Sequence, residues 1–308
     1  MTTTQSAGLH RFAAFTAACT FLLLVAGALV TSNDAGLSVP DWPLAYGALV
    51  PPLAGNIVYE YGHRVIAGFV GVLTIVLAVW LWQREPRRWV QRLGLAAVGA
   101  VFAQAILGGL TVRFFQPVVV SVAHATLAQM FFSTVISLVL FTSRWWQSDP
   151  RRVEDSDSPR IRSLTMWTVA AVFLQLILGA AFRHKGFGVV PHLVGAAVVT
   201  ILIFWTAGAL RRRFAGIPAL ARCRRLLHVL IGMQLLLGTA AWWSRWFARE
   251  FPQPIRVMVW LTVAHTVVGA LVLGAAVLTA LASFRVLSRG REEVLASGAQ
   301  KINEQAAL

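Results

Sequence analysis

The chain of 308 residues is 57% hydrophobic and only 13% charged, with a mean hydropathy of +0.69. Soluble domains carry about a quarter charged residues, so this composition excludes one and places the chain in a membrane. The formal net charge of +15 would suit a nucleic-acid binder, but the distribution of those charges gives them another meaning.

Eight apolar segments follow in chain order, at 12–32, 63–83, 93–112, 118–142, 163–182, 191–210, 226–243 and 257–283. Each is near the roughly 20 residues that cross a hydrocarbon core. Helices are the expected form, because they satisfy every backbone group internally. The first segment, preceded by Arg11, has the outline of a signal peptide. It is read as a span because it shares a pattern with later segments. No Arg- and Ser-rich leader precedes it, which points to a bacterial membrane.

Alternate connections are strongly basic. Arg84, Arg87, Arg88 and Arg92 follow the second span; Arg144, Arg151, Arg152, Arg160 and Arg162 the fourth; Arg211, Arg212, Arg213, Arg222, Arg224 and Arg225 the sixth. With Arg11 and with Arg285, Arg289, Arg291 and Lys301 at the end, that side holds 20 of the 27 Lys and Arg residues. The positive-inside rule then predicts cytoplasmic termini and a cell (inner) membrane protein. The basic excess reads as an orientation signal in contact with the lipid bilayer, and no nucleic-acid partner is expected. Cys19 and Cys223 fall on opposite sides of this topology, so no disulfide framework is expected.

A repeat runs through the spans. It reads LLVAGALV at 23–30, QAILGGLTV at 104–112, QLILGAAF at 175–182 and QLLLGTAA at 234–241. Each copy is followed, across an outer loop, by a helix with a histidine near its start: His63, His124, His192 and His265. Four residues on, one helical turn below on the same face, stands a small residue: Ala67, Ala128, Ala196 or Gly269. The unit is a hairpin of two spans. The expected architecture is an all-α integral membrane protein, with eight transmembrane helices as two pseudo-symmetric four-helix bundles. The halves are 1–143 and 163–284, joined by a charged linker at 144–162 and followed by a tail at 285–308.

All four histidine-bearing helices run from outside to inside, so the imidazoles share one depth. A single intramembrane histidine is usually a packing partner, but four at equivalent positions point to ligation. Zinc or copper would want a compact cluster with carboxylate or sulfur nearby. Histidine pairs across a bundle, with small residues clearing room for a flat macrocycle, suit haem iron, one site in each half. His10 and His228 read as interfacial, and His184 in the outer loop RHKGFG as a solvated group. Outer-side arginines (Arg64, Arg113, Arg183, Arg245, Arg249, Arg256) are candidates for the haem carboxylates.

Several motifs are more specific. The outer loop GALVTSNDAGLSVPDWPLAYGALVPP followed by EYGHRVIAG, together with QAILGGLTV, SVAHATLAQ, PHLVGAA and VAHTVVGALVL, resembles the haem A synthase family over essentially the whole stretch from first to last span. The resemblance implies oxidation of a ring methyl of haem O to a formyl group, giving haem A for cytochrome oxidase assembly. It implies that His63 and His124 flank the substrate haem O, and that His192 and His265 ligate a resident haem b. Glu60 and Arg64 fall on the family motif that begins the second span, and in the family its carboxylate is needed for turnover. It also implies delivery of haem O by a haem O synthase and an electron acceptor that remains unidentified. Many members carry a cysteine pair around the PDWP segment. Here those positions are Val39 and Ala45, which excludes a thiol–disulfide route through this loop.

Glu60, three residues before His63 and four before Arg64, shares their helix face. As a first-turn carboxylate it favours the helix dipole by about 0.3–1 kcal/mol, but that leaves the imidazole unexplained. Near a reacting ring edge it can accept protons released by methyl oxidation. Asp41 is read as an Asx tie within its loop. Two other functions use the same histidines: a di-haem, quinol-linked electron-transfer protein, which has no need of Glu60, and a proton-coupled transporter built from repeats.

Overall fold

The computed structural model describes residues 3–148, 150 and 152–289. Arg151, Arg291 and Lys301 of the basic runs, and the tail from 290 onward, lie outside the described residues. Among the described residues, eight helices are long and apolar enough to cross a membrane. They are α1 (Thr3–Ser32), α2 (Ile57–Arg84), α3 (Arg88–Arg113), α4 (Val118–Thr142), α6 (Ile161–Arg183), α7 (Val189–Phe214), α8 (Pro218–Phe247) and α9 (Arg256–Val286). A single helical turn, α5 (Arg144–Gln147), lies in the linker. The protein is an all-α integral membrane protein.

The helices overrun the apolar segments. α2 starts at Ile57 rather than 63, and α8 covers Pro218–Phe247 rather than 226–243. Hydropathy marks the hydrocarbon depth, whereas a helix continues into the headgroup region until a cap or proline stops it. Pro218 opens α8 at its first turn, where the missing N–H costs nothing. The early start of α2 puts Glu60, His63 and Arg64 on its first two turns.

Packing follows a repeated order. α1 lies against α2 and α4, and α3 against α2 and α4; α6 lies against α7 and α9, and α8 against α7 and α9. The two sets meet where α9 touches α1 and α4, and where α4 touches α6. α9 is the most enclosed of the spans. Its buried positions include Gly269, Ala270, Gly274, Ala275, Ala276, Ala280 and Ala282, the small residues that let membrane helices approach closely. A Cβ at Gly274 would stand 2.8 Å from Cδ1 of Ile136 on α4. Toward the outer side, Val259, Val263 and Val267 of α9 pack on Phe21, Val25, Ala28 and Leu29 of α1.

The linker is more ordered than its Ser, Pro and charge content predicts. Residues Val153–Asp155 (β1) pair in parallel with Leu287–Arg289 (β2). Asp155 is buried, accepts the Ile161 N–H at 2.6 Å and faces Arg213 at 4.0 Å. Arg213 also pairs with Asp157 at 2.9 Å and donates to the Pro159 carbonyl at 2.8 Å. Burial raises the Asp155 carboxyl above its ordinary pKa, while the Ile161 amide and Arg213 oppose that shift. One guanidinium therefore gathers the turn before α6. Replacing Arg213 with Ala removes these bonds, at a cost of about 1–3 kcal/mol for the partners left unsatisfied. Limited proteolysis of the purified protein is expected to cut faster within 155–160, with the spans still protected.

Candidate functional site

Each histidine rests against a glycine on the other helix of its hairpin. A Cβ added at Gly27 would stand 3.1 Å from Cε1 of His63, and one at Gly108 3.4 Å from Cε1 of His124. The corresponding distances are 3.1 Å for Gly179 with His192 and 2.8 Å for Gly238 with His265. These four glycines are the G of the repeated pattern, which reads as a repeat in sequence but whose role is to let an imidazole lie on the neighbouring backbone. The repeated Gln takes part as well. Gln104 Nε2 donates to the His124 carbonyl and Gln175 Nε2 to the His192 carbonyl, both at 2.9 Å. His265 Nδ1 donates to the Gln234 carbonyl at 3.2 Å. The small residue after the histidine has a partly different use from the one expected. At Gly269 the cleared space is bounded by the Gln234 amide and Leu176.

The histidines come together in pairs. The rings of His192 and His265 have centroids 6.2 Å apart and are inclined at 82°. His63 and His124 are close enough to interact electrostatically. Among the described residues, no group of three or more His, Cys, Asp and Glu forms a compact metal cluster. At this separation His192 and His265 could both reach one metal ion, so this pair would be able to hold a haem. In the N-terminal pair, Nδ1 of both His63 and His124 is buried without a hydrogen bond of ordinary geometry.

Above the N-terminal pair lies the outer loop between α1 and α2. Glu60 is buried and both its oxygens are engaged: Oε1 accepts from Arg64 Nη2 at 2.6 Å, and Oε2 from the Val39 N–H at 2.9 Å. Arg64 Nη1 donates to the carbonyls of Asp41 (2.8 Å) and Leu44 (3.0 Å), and Nη2 reaches that of Val39 at 3.5 Å. The Glu60–Arg64 pair thus fastens the PDWP loop to the first turns of α2. Val39 and Ala45 are buried in this loop. Asp41 acts as the expected Asx tie, accepting the N–H groups of Tyr46 at 2.6 Å and Gly47 at 2.8 Å. Both donors have left-handed backbone, φ 55° and 71°. Trp42 lies over α3 at Gly109, where a Cβ would come within 2.8 Å of the indole. The loop therefore lies beside the glycine that backs His124.

Of the outer-side arginines, Arg64 is committed to the loop, and Arg183 donates to the Thr31 carbonyl (2.8 Å) and Ser32 Oγ (3.2 Å) at the end of α1. Arg249 lies over the Trp246 ring and near Glu250. Arg113, Arg245 and Arg256 have no ion-pair partner among the described residues. His184 is not simply solvated: it is partly enclosed and near enough to His124 to interact with it electrostatically. Burial and the neighbouring Arg183 charge hold its pKa below the ordinary histidine value.

Comparison with known proteins gives a consistent result. A family model described as cytochrome oxidase assembly protein (COX15-CtaA) matches residues 10–58 and 53–191, more than half of the chain. The heme A synthase of Lysinibacillus sphaericus is 31% identical over 172 residues, covering 53% of this chain and 54% of that protein. The heme A synthase of Alkalihalophilus pseudofirmus is 34% identical over 123 residues, 39% of this chain and 41% of its own. That of Symbiobacterium thermophilum is 28% identical over 225 residues, 62% and 73% respectively. The chain spans about half the length of the first curated relatives it matches.

Two outcomes test the loop geometry. Hydrogen bonds from the Gly47 and Tyr46 amides hold the Asp41 carboxyl below its ordinary pKa of 3.8. A depressed folded value means that the tie is present above the unfolded value and is lost as pH falls through the folded one. Protection of the Tyr46 and Gly47 amides, measured against their intrinsic exchange rates, is expected to hold down to about pH 4 and to fall below it. Asp41→Asn removes the charge and should speed exchange several-fold at neutral pH. Gly109→Ala should displace Trp42, read as increased exchange across 39–46, whereas Gly99→Ala, whose Cβ would meet nothing within 4 Å, should not.

Proposed function

Because this chain belongs to the cytochrome oxidase assembly protein family, we propose that it is a haem A synthase, oxidising the ring methyl of haem O to a formyl group. The observation that carries the reading is the set of four glycine-backed histidines in two pairs. In this reading the N-terminal half, 1–143, holds the substrate haem O between His63 and His124. The C-terminal half, 163–284, holds haem b between His192 and His265. Haem b, when bound, supplies one-electron transfer. Glu60 is the buried carboxylate on the loop side of the N-terminal pair, and Arg113, Arg245 and Arg256 would be available to haem carboxylates. The membrane is the cell membrane with the basic side cytoplasmic, which places both haem sites in the outer half. A haem O synthase is the expected source of substrate.

The chain's own residues have separable parts in this chemistry. The glycines and glutamines aim the imidazoles. The loop, fastened by Arg64 and seated by Trp42, covers the N-terminal pair and limits the access of water to it. Oxidation of a methyl carbon releases protons, and Glu60 is the buried carboxylate beside this pair. Each Glu60 oxygen accepts one of these bonds and keeps a second lone pair for a proton. Neutralising Glu60 in this way weakens its ion pair with Arg64, so proton transfer and the hold on the loop meet at one side chain.

The decisive experiment is chromatography of extracted haems from cells that make haem O, with and without this protein. Haem A is expected only in its presence, and Glu60→Ala should lower the haem A yield by about 100-fold or more, the usual scale for a lost acid–base group. Unchanged haem A in that variant would favour an electron carrier instead. A purified protein with no Soret absorbance would favour the transporter. His265→Ala is expected to lose about half the bound haem. Gly238→Ala, which crowds His265, should shift the low-spin signal of the remaining haem b while leaving haem O binding intact.

A further inference from the structure

In sequence, one of the four histidine hairpins departs from the other three. Gln104, Gln175 and Gln234 each stand four residues before the glycine, with the side chain directed at the facing histidine. At the matching place in α1 stands Leu23. The backbone carbonyl of this register interacts with the imidazole in every hairpin: Leu23, Gln104, Gln175 and Gln234. The Gln side chain adds a second, reciprocal bond for His124 and His192, from its amide to the histidine's own carbonyl, at 2.9 Å in each. Such a two-way clamp fixes both the depth and the rotation of the histidine helix against its partner. Gln234 lies 3.5 Å from His265 Nε2, against the ring rather than the carbonyl. Leucine has no donor, so His63 lacks the clamp.

The residues around His63 are tied elsewhere. Glu60, three before it, binds the Val39 amide; Arg64, one after it, binds the carbonyls of Asp41 and Leu44. The turn that carries His63 is thus held by the outer loop, while the other three histidines face glutamines on their hairpin partners. Resting on the two-haem reading proposed above, we infer that His63 is the displaceable ligand of the N-terminal haem, with Leu23, in place of the glutamine of the other hairpins, as the residue that makes it so. His124, clamped by Gln104, is the fixed ligand on the other face. A reacting metal centre keeps one exchangeable position, whereas a purely structural one is closed on all sides. The distribution of glutamine along the repeat builds that difference into one half of the molecule.

Carbon monoxide binding to the reduced, purified protein with both haems loaded is the test. About half the haem of the wild type should bind carbon monoxide, and nearly all the haem left should do so in a variant in which the C-terminal haem is absent (His192→Ala). Leu23→Gln supplies the missing clamp and should reduce carbon monoxide affinity by about tenfold, the scale of one net hydrogen bond. The C-terminal haem spectrum then reports that the protein has folded. Arg64→Gln frees the turn and should act in the opposite direction, as should Gln104→Leu, which loosens the second ligand. A wild type that carries two haems yet binds no carbon monoxide overturns the inference. So does a folded Leu23→Gln protein with wild-type affinity, or Arg64→Gln and Gln104→Leu proteins that both match the wild type. A purified protein without haem overturns instead the two-haem reading beneath it.

Discussion

An imidazole on one membrane helix can press its edge against the next only where the neighbour has no side chain, and this steric condition organises the molecule. It is met four times, at Gly27, Gly108, Gly179 and Gly238. With a Cβ at Gly238, the His265 ring would be approached to 2.8 Å, closer than carbon atoms tolerate, and a helix or a ring would have to move. Glycine lowers intrinsic helix propensity by about 1 kcal/mol, a modest cost within a span whose other backbone groups are satisfied. In return the ring nitrogens are aimed from a rigid backbone rather than from a pliable side-chain bed. The pairing of His192 with His265 follows from that aim.

The outer loop depends on the same helix. Because α2 starts at Ile57, its first turns can offer both a carboxylate and a guanidinium to the loop backbone. A buried charge pair is costly to desolvate and repays that cost only when the remaining donors and acceptors are satisfied. Here the surplus guanidinium hydrogens go to loop carbonyls and the second carboxylate oxygen to an amide. The pair is therefore better understood as the anchor of the loop than as an isolated ion pair. The same bonds that hold the loop engage the carboxylate assigned to proton transfer.

Most of this was legible in the chain, and for identifiable reasons. The eight spans follow from hydropathy, which reports depth, and the histidine register follows from the repeat, because equal spacing on helices gives equal height. The pattern Q-x-x-L-G contained more than a repeat: its glycine and glutamine are the partners of the imidazole, and the one copy reading LLVAG already marked the exception at Leu23. Asp41 was readable because Asx ties are local. Other features were not legible, since they join residues far apart with no periodic signal. Arg183 reaches back to the end of α1, Trp42 settles on Gly109, and β1 finds β2 at the far end of the last span. The helix ends were misplaced by hydropathy for a different reason: the headgroup region permits helix without requiring apolar residues.

The position of α9 has a consequence for biogenesis. It follows the other seven described spans in the chain, yet it forms the wall on which α1 and α4 rest and touches α6 and α8 of its own half. The seven earlier spans can enter the bilayer in order, but neither bundle is enclosed until the eighth arrives. The seam between the two halves is therefore completed only when α9 enters the bilayer.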